Sequence, residues 1–274
     1  MRTVGRKLAF VLAASNHGTM IVNRLDYRMV GPDSGYGVGH QILEEAAFDP
    51  QEIELALQLL ELRRCHYGTG VVAIDCGANV GAHTVEWAIA MTGWGSVVAV
   101  EAQERVYYAL AGNIAINNCF NAIAMHAAVS SQLGMMRIPS PDYLTASSFG
   151  SLELKYREGA EFIGQQVDYS EENMVAVQTV TLDSMKLPRV DMIKIDVEGM
   201  EMEALEGARE TIERSNPILL VESIKAGREN LAAWMEARGY KVINAGINIL
   251  AIHLSDKTLT GLKIPGEAQA QSAA

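Results

Sequence analysis

Two short stretches of this chain concentrate the residue types that can do polar chemistry. The first is Asp75-Cys76-Gly77-Ala78-Asn79-Val80-Gly81, which follows an apolar, β-branched run and opens a helical pattern. Gly77 and Gly81 permit a tight strand-to-helix turn and let a ligand come close to the backbone. Glycines four apart behind a leading acid do not make the G-x-G-x-x-G of dinucleotide folds. A carboxylate at that point repels a pyrophosphate and attracts an ammonium group or ribose hydroxyls. Glu101 ends the next apolar run, 26 residues beyond Asp75, and places a second acid at an adjacent strand end, suited to a ribose diol. Charge-assisted hydrogen bonds of this kind contribute about 1.5–3 kcal/mol each. A structural turn with a capping Asp75 is the plain alternative, and Asn79, Gly81 and Glu101 together weigh against it.

The second stretch is Lys194-Ile195-Asp196-Val197-Glu198-Gly199-Met200-Glu201. Alternation along a strand puts Lys194, Asp196 and Glu198 on one face, and Ile193, Ile195 and Val197 on the other. The strand runs toward the end where open α/β sheets bind ligands, and Gly199 allows the turn into the next helix. Glu222 ends a further apolar run on the same rim and is expected to meet substrate, with a solvent-facing acid as the alternative. Tyr36, within Gly35-Tyr36-Gly37-Val38-Gly39, is read as a wall over the second substrate, against a plain loop aromatic. Ser147 and Ser148 are read as a solvated loop, with reach into the cofactor pocket as the alternative, His126 as structural, and Trp87 and Trp94 as packing residues. For Lys194 a strand-edge salt bridge is the favoured reading. Oxygen-ligand preferences would allow a divalent metal on Asp196, Glu198 and Glu222, but no His or Asn pattern supports it, and no metal site is assigned.

These residues need a sheet to hold them. Val71–Cys76, Ser96–Glu101, Ala122–Val129, Asp191–Val197 and Pro217–Ser223 read as buried strands, alternating with helical stretches at His83–Met91, Glu104–Asn117, Glu201–Arg214 and Arg228–Arg238. Such alternation implies a parallel sheet with helices on both faces. Lys241–Asn244 and Asn248–Leu254 are separated by a short loop around Gly246, too short for a parallel crossover, so they pair as a terminal antiparallel hairpin. The expected fold is therefore α/β with a mixed sheet. Asp49-Pro50-Gln51-Glu52 predicts a helix start, with Asp49 capping and Glu52 completing a capping box. Residues 1–48 read as an extension of irregular strands and turns, residues 49–260 as the main domain with an insertion at 134–180, and residues 261–274 as a disordered tail.

The runs D-C-G-A-N-V-G-A-H-T (75–84), V-A-V-E (98–101) and I-K-I-D-V-E-G-M-E-M-E-A-L-E-G-A (193–208) resemble the FkbM family of S-adenosylmethionine-dependent methyltransferases, over residues 50–254. The resemblance implies the class I methyltransferase fold, Rossmann-like, with seven strands and the last antiparallel. It also implies methyl transfer to a hydroxyl oxygen, often on a carbohydrate or secondary metabolite, with S-adenosylmethionine as cofactor. On it Asp75, Gly77, Asn79 and Gly81 match the methionine-side loop and Glu101 the ribose acid. The family usually places Pro after that acid, where this chain has Ala102-Gln103 against the adenosine. His83 stands where an aromatic residue is common.

Methyl transfer is a displacement at a sulfonium, so most of its catalysis is positioning. A neutral hydroxyl also needs its proton removed, which a carboxylate or His can assist by about 10²–10⁴-fold. Asp196 is the first candidate base, with Glu198 and His83 behind it; a role for Asp196 in orienting the cofactor ammonium stays open. The competing readings are N-methylation, a nucleotide-dependent oxidoreductase on a similar sheet, and a binding protein without catalysis.

Composition sets the outer limits. Of 274 residues, 49% are hydrophobic and 20% charged, a globular balance that can bury a core. Twenty-two Lys and Arg against 33 Asp and Glu leave a net charge of −11, which disfavours nucleic acid and anionic lipid and suits neutral or cationic small molecules. Three cysteines (Cys65, Cys76, Cys119) form neither a metal-type pair nor a disulfide framework. No apolar run approaches a membrane span. Arg2, Arg6 and Lys7 before Leu8–Ala14 faintly resemble a signal peptide but lack a clean cleavage site. The expectation is a cytoplasmic enzyme, with a homo-oligomer left open.

Overall fold

The computed structural model describes residues 7–31 and 34–260; Arg2, Arg6 and the tail from Gly261 lie outside them. Strands β1 (Phe10–Ser15) and β2 (Gly18–Asn23) form a hairpin, and β3 (Arg28–Met29) and β4 (Gly35–Tyr36) a second, smaller one. Helices α1 (Val38–Glu45) and α2 (Pro50–Tyr67) lead into β5 (Val71–Cys76), α3 (Ala82–Ala90), β6 (Gly95–Glu101), α4 (Glu104–Ile116) and β7 (Ala122–His126). Strands β8 (Ala128–Val129), β9 (Gly134–Pro139) and β10 (Met174–Val180) follow. Then come β11 (Met192–Ile195), α5 (Glu201–Glu206), α6 (Arg209–Ser215), β12 (Ile218–Glu222), α7 (Arg228–Glu236), β13 (Tyr240–Ala245) and β14 (Asn248–His253).

Seven strands make one sheet in the order β13-β14-β12-β11-β5-β6-β7. The pairs from β12 to β7 are parallel, and β14 runs antiparallel between β12 and β13. The terminal hairpin and the mixed α/β sheet expected from the sequence are both present. Successive strand residues feed opposite cores, as a two-sided sheet requires. Ile74, Ile193, Ile195, Leu219 and Val221 pack with α5, α6 and α7. Ala73, Met192, Ile218 and Leu220 pack with α2, α3 and the N-terminal residues Met20, Val22 and Ile42. Strand order reverses between β5 and β11, and a crevice opens at their C-terminal ends, where open α/β sheets take ligands.

At the other end of the sheet a buried cation fixes the strand starts. Arg63 on α2 reaches Asp191 at 3.1 Å and Asp256 at 2.6 Å, while Asp191 also accepts the Val72 N–H and pairs with Arg189. The N-terminal hairpin is held on α4 by two asparagines that imitate a partner strand. Asn113 accepts from Ile21 N–H and donates to Ile21 O, and Asn117 does the same with Thr19.

Four expectations need correction. Residues 38–45 are a helix, not irregular chain: the buried Asp26 carboxylate accepts the Gly39 N–H at its first turn, and a Cβ on Gly39 would lie 2.2 Å from Asn23 O. The stretch Glu201–Arg214 is two helices. Gly207 packs so closely on Ser130 O that a Cβ would fall 2.0 Å from it, and Asp183 caps α6 by accepting the Glu210 and Thr211 N–H groups. Asp49 takes φ 39° and makes no side-chain cap, and Glu52 makes no capping box, because its carboxylate turns to His83 and Asn248. Ser147 and Ser148 are buried rather than solvated: Ser147 N–H bonds to Leu25 O, and Gln165 donates to its hydroxyl.

Candidate active site

The crevice at the strand ends has a volume of about 390 Å³, within the range of small-molecule sites. Asp75 closes β5 on its floor. One carboxylate oxygen accepts the Thr84 hydroxyl at 2.7 Å, and the other is buried with no partner. Glu101 closes β6 next to it, accepting the Asn79 N–H at 3.0 Å and the Gln103 N–H at 2.7 Å. Burial pushes the Glu101 carboxyl up to about 7, against the lowering effect of the backbone amides of Gln103, Asn79 and Ala102. Both acids line the same cleft, together with Gly77, Asn79 and Ala102.

The turn between them is built for close approach. Gly77 has φ +77°, and a Cβ there would sit 1.8 Å from Asp196 O. The turn after β11 therefore lies against the turn after β5, and the Asp196 N–H bonds to Cys76 O at 3.0 Å. Gly81 is the exception among the glycine-loop residues. It does not line the cleft; its missing side chain admits Leu110 of α4, where a Cβ would lie 2.6 Å from Leu110 Cδ1. It starts α3 and seats that helix against α4.

Beyond β11 the chain turns with Glu198 at φ +55° and Gly199 at +96°. Glu201, buried at the start of α5, holds this turn by accepting the N–H groups of Val197 at 3.2 Å and Gly199 at 3.0 Å. Asp196, Glu198 and Lys194 all reach the cleft. Lys194 lies on a central strand, not an edge, and its buried ammonium is 3.2 Å from Asp196. The acids Asp196, Asp75 and Glu52 hold its pKa above the ordinary lysine value despite burial. Glu198 is ion-paired with Lys225, and Lys225 also donates to Ser151 O at 3.0 Å. Burial and the nearby Asp196 raise the Glu198 carboxyl.

His83 lines the cleft from α3 with Nε2 2.9 Å from Glu52, packed edge-on to Trp87. Tyr36 belongs to β4 and lines the opposite wall, with its hydroxyl against Glu161 and Arg28. Glu222 closes β12 and points into the cleft with one oxygen buried and unpartnered. His126 stacks on Tyr107 at 5.2 Å outside the cleft, in keeping with a structural role. Among the described residues no cluster of acids, His and Cys is arranged to hold a metal ion.

Several cleft residues carried no motif. Gln103 binds Phe149 O and the Tyr143 hydroxyl, closing the insertion over Glu101. Lys225 sits in the loop after β12, and Ser148 comes from the insertion. Only the topology brings them in. Glu201 was more accessible, since an acid two residues after a turn glycine can satisfy the amides of that turn.

A seven-stranded α/β sheet, with acids at the ends of neighbouring strands around a switch-point cleft, defines a Rossmann-like fold of the methyltransferase kind. The methyltransferase FkbM domain model matches residues 75–242. The chain belongs to the FkbM methyltransferase family. No curated protein matches it by sequence. Similar solved structures include a methyltransferase FkbM from Methylobacillus flagellatus KT, 15% identical with a TM-score of 0.46 over 68% of this chain and 43% of that one. This chain thus spans less than half of that protein's length. A precorrin-6y C5,15-methyltransferase from Geobacter metallireducens GS-15 is 13% identical, with a TM-score of 0.43 over 75% of this chain and 88% of that one. A magnesium protoporphyrin IX methyltransferase from Synechocystis PCC 6803, solved with S-adenosylmethionine bound, is 11% identical. Its TM-score is 0.42 over 74% of this chain and 78% of that one.

Proposed function

We propose that this protein transfers a methyl group from S-adenosylmethionine to a hydroxyl oxygen of a neutral small molecule, a carbohydrate or a glycosylated compound. The observation that carries the reading is the pairing of Asp75 and Glu101 at adjacent strand ends in one cleft, one with an orphaned buried oxygen. That donor set fits the cofactor. A buried carboxylate oxygen without a partner suits an ammonium group. A second carboxylate pinned by two backbone amides retains lone pairs for a ribose diol. The same acids disfavour the pyrophosphate of a nicotinamide dinucleotide, which argues against an oxidoreductase.

When bound, the cofactor would supply an electrophilic methyl on a positively charged sulfur. The chain's own residues supply the rest. Asp75 and Glu101 bind and orient the two polar ends, and Gly77 keeps the floor open to them. Ala102, Ala128, Val129 and Leu152 offer an apolar slot beside Glu101. Lys194 fixes Asp196 at 3.2 Å, so Asp196 serves as a positioning carboxylate. Tyr36 and the insertion face it from the acceptor side.

Calorimetric titration with S-adenosylhomocysteine tests the donor half. Micromolar binding that is lost in Asp75→Ala and in Glu101→Ala is the expected result. NADH binding in its place would reverse the assignment.

A further inference from the structure

Resting on the methyl-transfer reading, we infer that Glu222, at the end of β12, is the general base that takes the proton from the acceptor hydroxyl, and that Asp196 and Glu198 are not.

The acids of the cleft differ in how free they are to act. Asp196 is engaged by Lys194 at 3.2 Å, Glu198 is ion-paired with Lys225, and His83 faces Glu52 at 2.9 Å. Each already has an ionisable neighbour within ion-pair distance. Among the described residues Glu222 makes no ion pair or side-chain hydrogen bond: it is 8% exposed, lines the cleft, one of its oxygens is buried without any hydrogen-bond partner, and Lys225 and Lys194 act on it only from longer range. An unsatisfied buried oxygen is costly unless a ligand completes it. An acceptor O–H pointing at that oxygen would do so.

Position agrees. Glu222 is the last residue of a central strand, paired with Asn248 of β14 and directly following Val221, which pairs with Ile195 of β11. It therefore aims from rigid scaffold and not from a loop. Ile224 and Ile247, exposed at 62% and 55%, form an apolar lip beside it, suited to the carbon skeleton around a reacting hydroxyl.

The charged groups around Glu222 explain its tuning. Asp196, Glu198 and Glu201 face it as like charges, while Lys225 and Lys194 act in the other direction. Burial dominates, and the carboxyl is pushed up to about 7. A general base works best with a pKa near the working pH. In the step itself the acceptor O–C bond forms as the donor C–S bond breaks, with that electron pair staying on sulfur. The hydroxyl proton passes to Glu222, which later releases it to solvent.

Two measurements decide the matter. The first needs no acceptor: side-chain carboxyl NMR of glutamate-labelled protein, with the Glu222 signal assigned by its loss in Glu222→Gln. Glu222→Asp serves for the assignment if the glutamine variant does not fold. A midpoint near 7 is expected, and a midpoint in the ordinary glutamate range overturns the assignment. The second uses methyl-labelled S-adenosylmethionine with a panel of hexoses. For any sugar methylated, kcat should rise through a midpoint near 7. In Glu222→Gln that limb should vanish and kcat should fall about 10²–10⁴-fold, with S-adenosylhomocysteine affinity within twofold of wild type. A Glu222→Gln enzyme that keeps kcat and the limb, or one that loses only cofactor affinity, refutes Glu222 as base and leaves the methyltransferase reading standing. Wild-type protein that binds no S-adenosylhomocysteine fails the methyltransferase reading instead.

Discussion

On the proposed role of Glu101 in holding the cofactor's ribose, its raised carboxyl makes cofactor affinity depend on pH in a calculable way. Its two backbone hydrogen bonds, 3.0 Å from Asn79 and 2.7 Å from Gln103, leave lone pairs on both oxygens to accept the two hydroxyls of a diol while the group is ionised, and protonation turns one of those acceptors into a donor. With a pKa of about 7, the ionised fraction is about 9% at pH 6 and about 91% at pH 8. Apparent affinity scales with the competent fraction, so the Kd of S-adenosylhomocysteine should fall about tenfold from pH 6 to pH 8. The sign is opposite for the stability of the free protein. A carboxyl whose pKa is raised on folding holds its proton longer in the native state, so stability falls as pH rises from about 4.5 to about 7 and is flat above. Glu101→Gln should bind S-adenosylhomocysteine about 10- to 150-fold more weakly, since a charge-assisted hydrogen bond contributes about 1.5–3 kcal/mol. It should also lose most of the pH slope. Calorimetry at pH 6, 7 and 8 on both proteins is the assay. Superimposable pH profiles would show that Glu101 does not carry the diol.

Two further expectations concern the frame. Gly77→Ala forces a Cβ to 1.8 Å from Asp196 O at a positive φ, so the turns after β5 and β11 must separate. A loss of at least about 2 kcal/mol by urea titration is expected, together with weakened cofactor binding, whereas an unchanged midpoint would mean the turn yields freely. Arg63→Met leaves the buried Asp256 carboxylate without its cation, a loss of about 3–5 kcal/mol. The melting temperature should drop by on the order of 10 °C. S-adenosylhomocysteine affinity, measured well below that temperature, should stay the same, because the pair sits at the far end of the sheet.

The central sheet was legible because its strands are continuous β-branched runs that cannot be satisfied outside a two-sided core. Val71–Cys76 has the bounds read from the sequence, and the hairpin of β13 and β14 follows from the shortness of its loop. The acids at strand ends were legible for the same reason, since strand ends in parallel sheets converge on one rim. What escaped were features fixed by distant partners. Helix α1 hides among glycines because its first turn is satisfied by Asp26 rather than by a local cap. The break between α5 and α6 depends on Ser130 and Asp183, neither of them nearby in sequence. Glu52 has the spacing of a capping residue, yet spends its carboxylate on His83 and Asn248. Which cleft carboxylates, Asp75 and Glu222, keep an unpartnered buried oxygen is likewise a tertiary fact, invisible until Thr84, Lys194 and Lys225 have been placed.

The Asp26 side chain carries a wider implication. One of its oxygens accepts the Gly39 N–H at 3.0 Å and the other the Phe149 N–H at 2.9 Å, and it lies fully buried between them. Asn23 adds a bond to Tyr143 O, and Leu25 O accepts from Ser147. Segments more than a hundred positions apart are thus riveted into one wall of the cleft. Neither can drift alone. Either segment transplanted from a relative would arrive with half a joint, and an exchange that keeps the protein intact has to move both together.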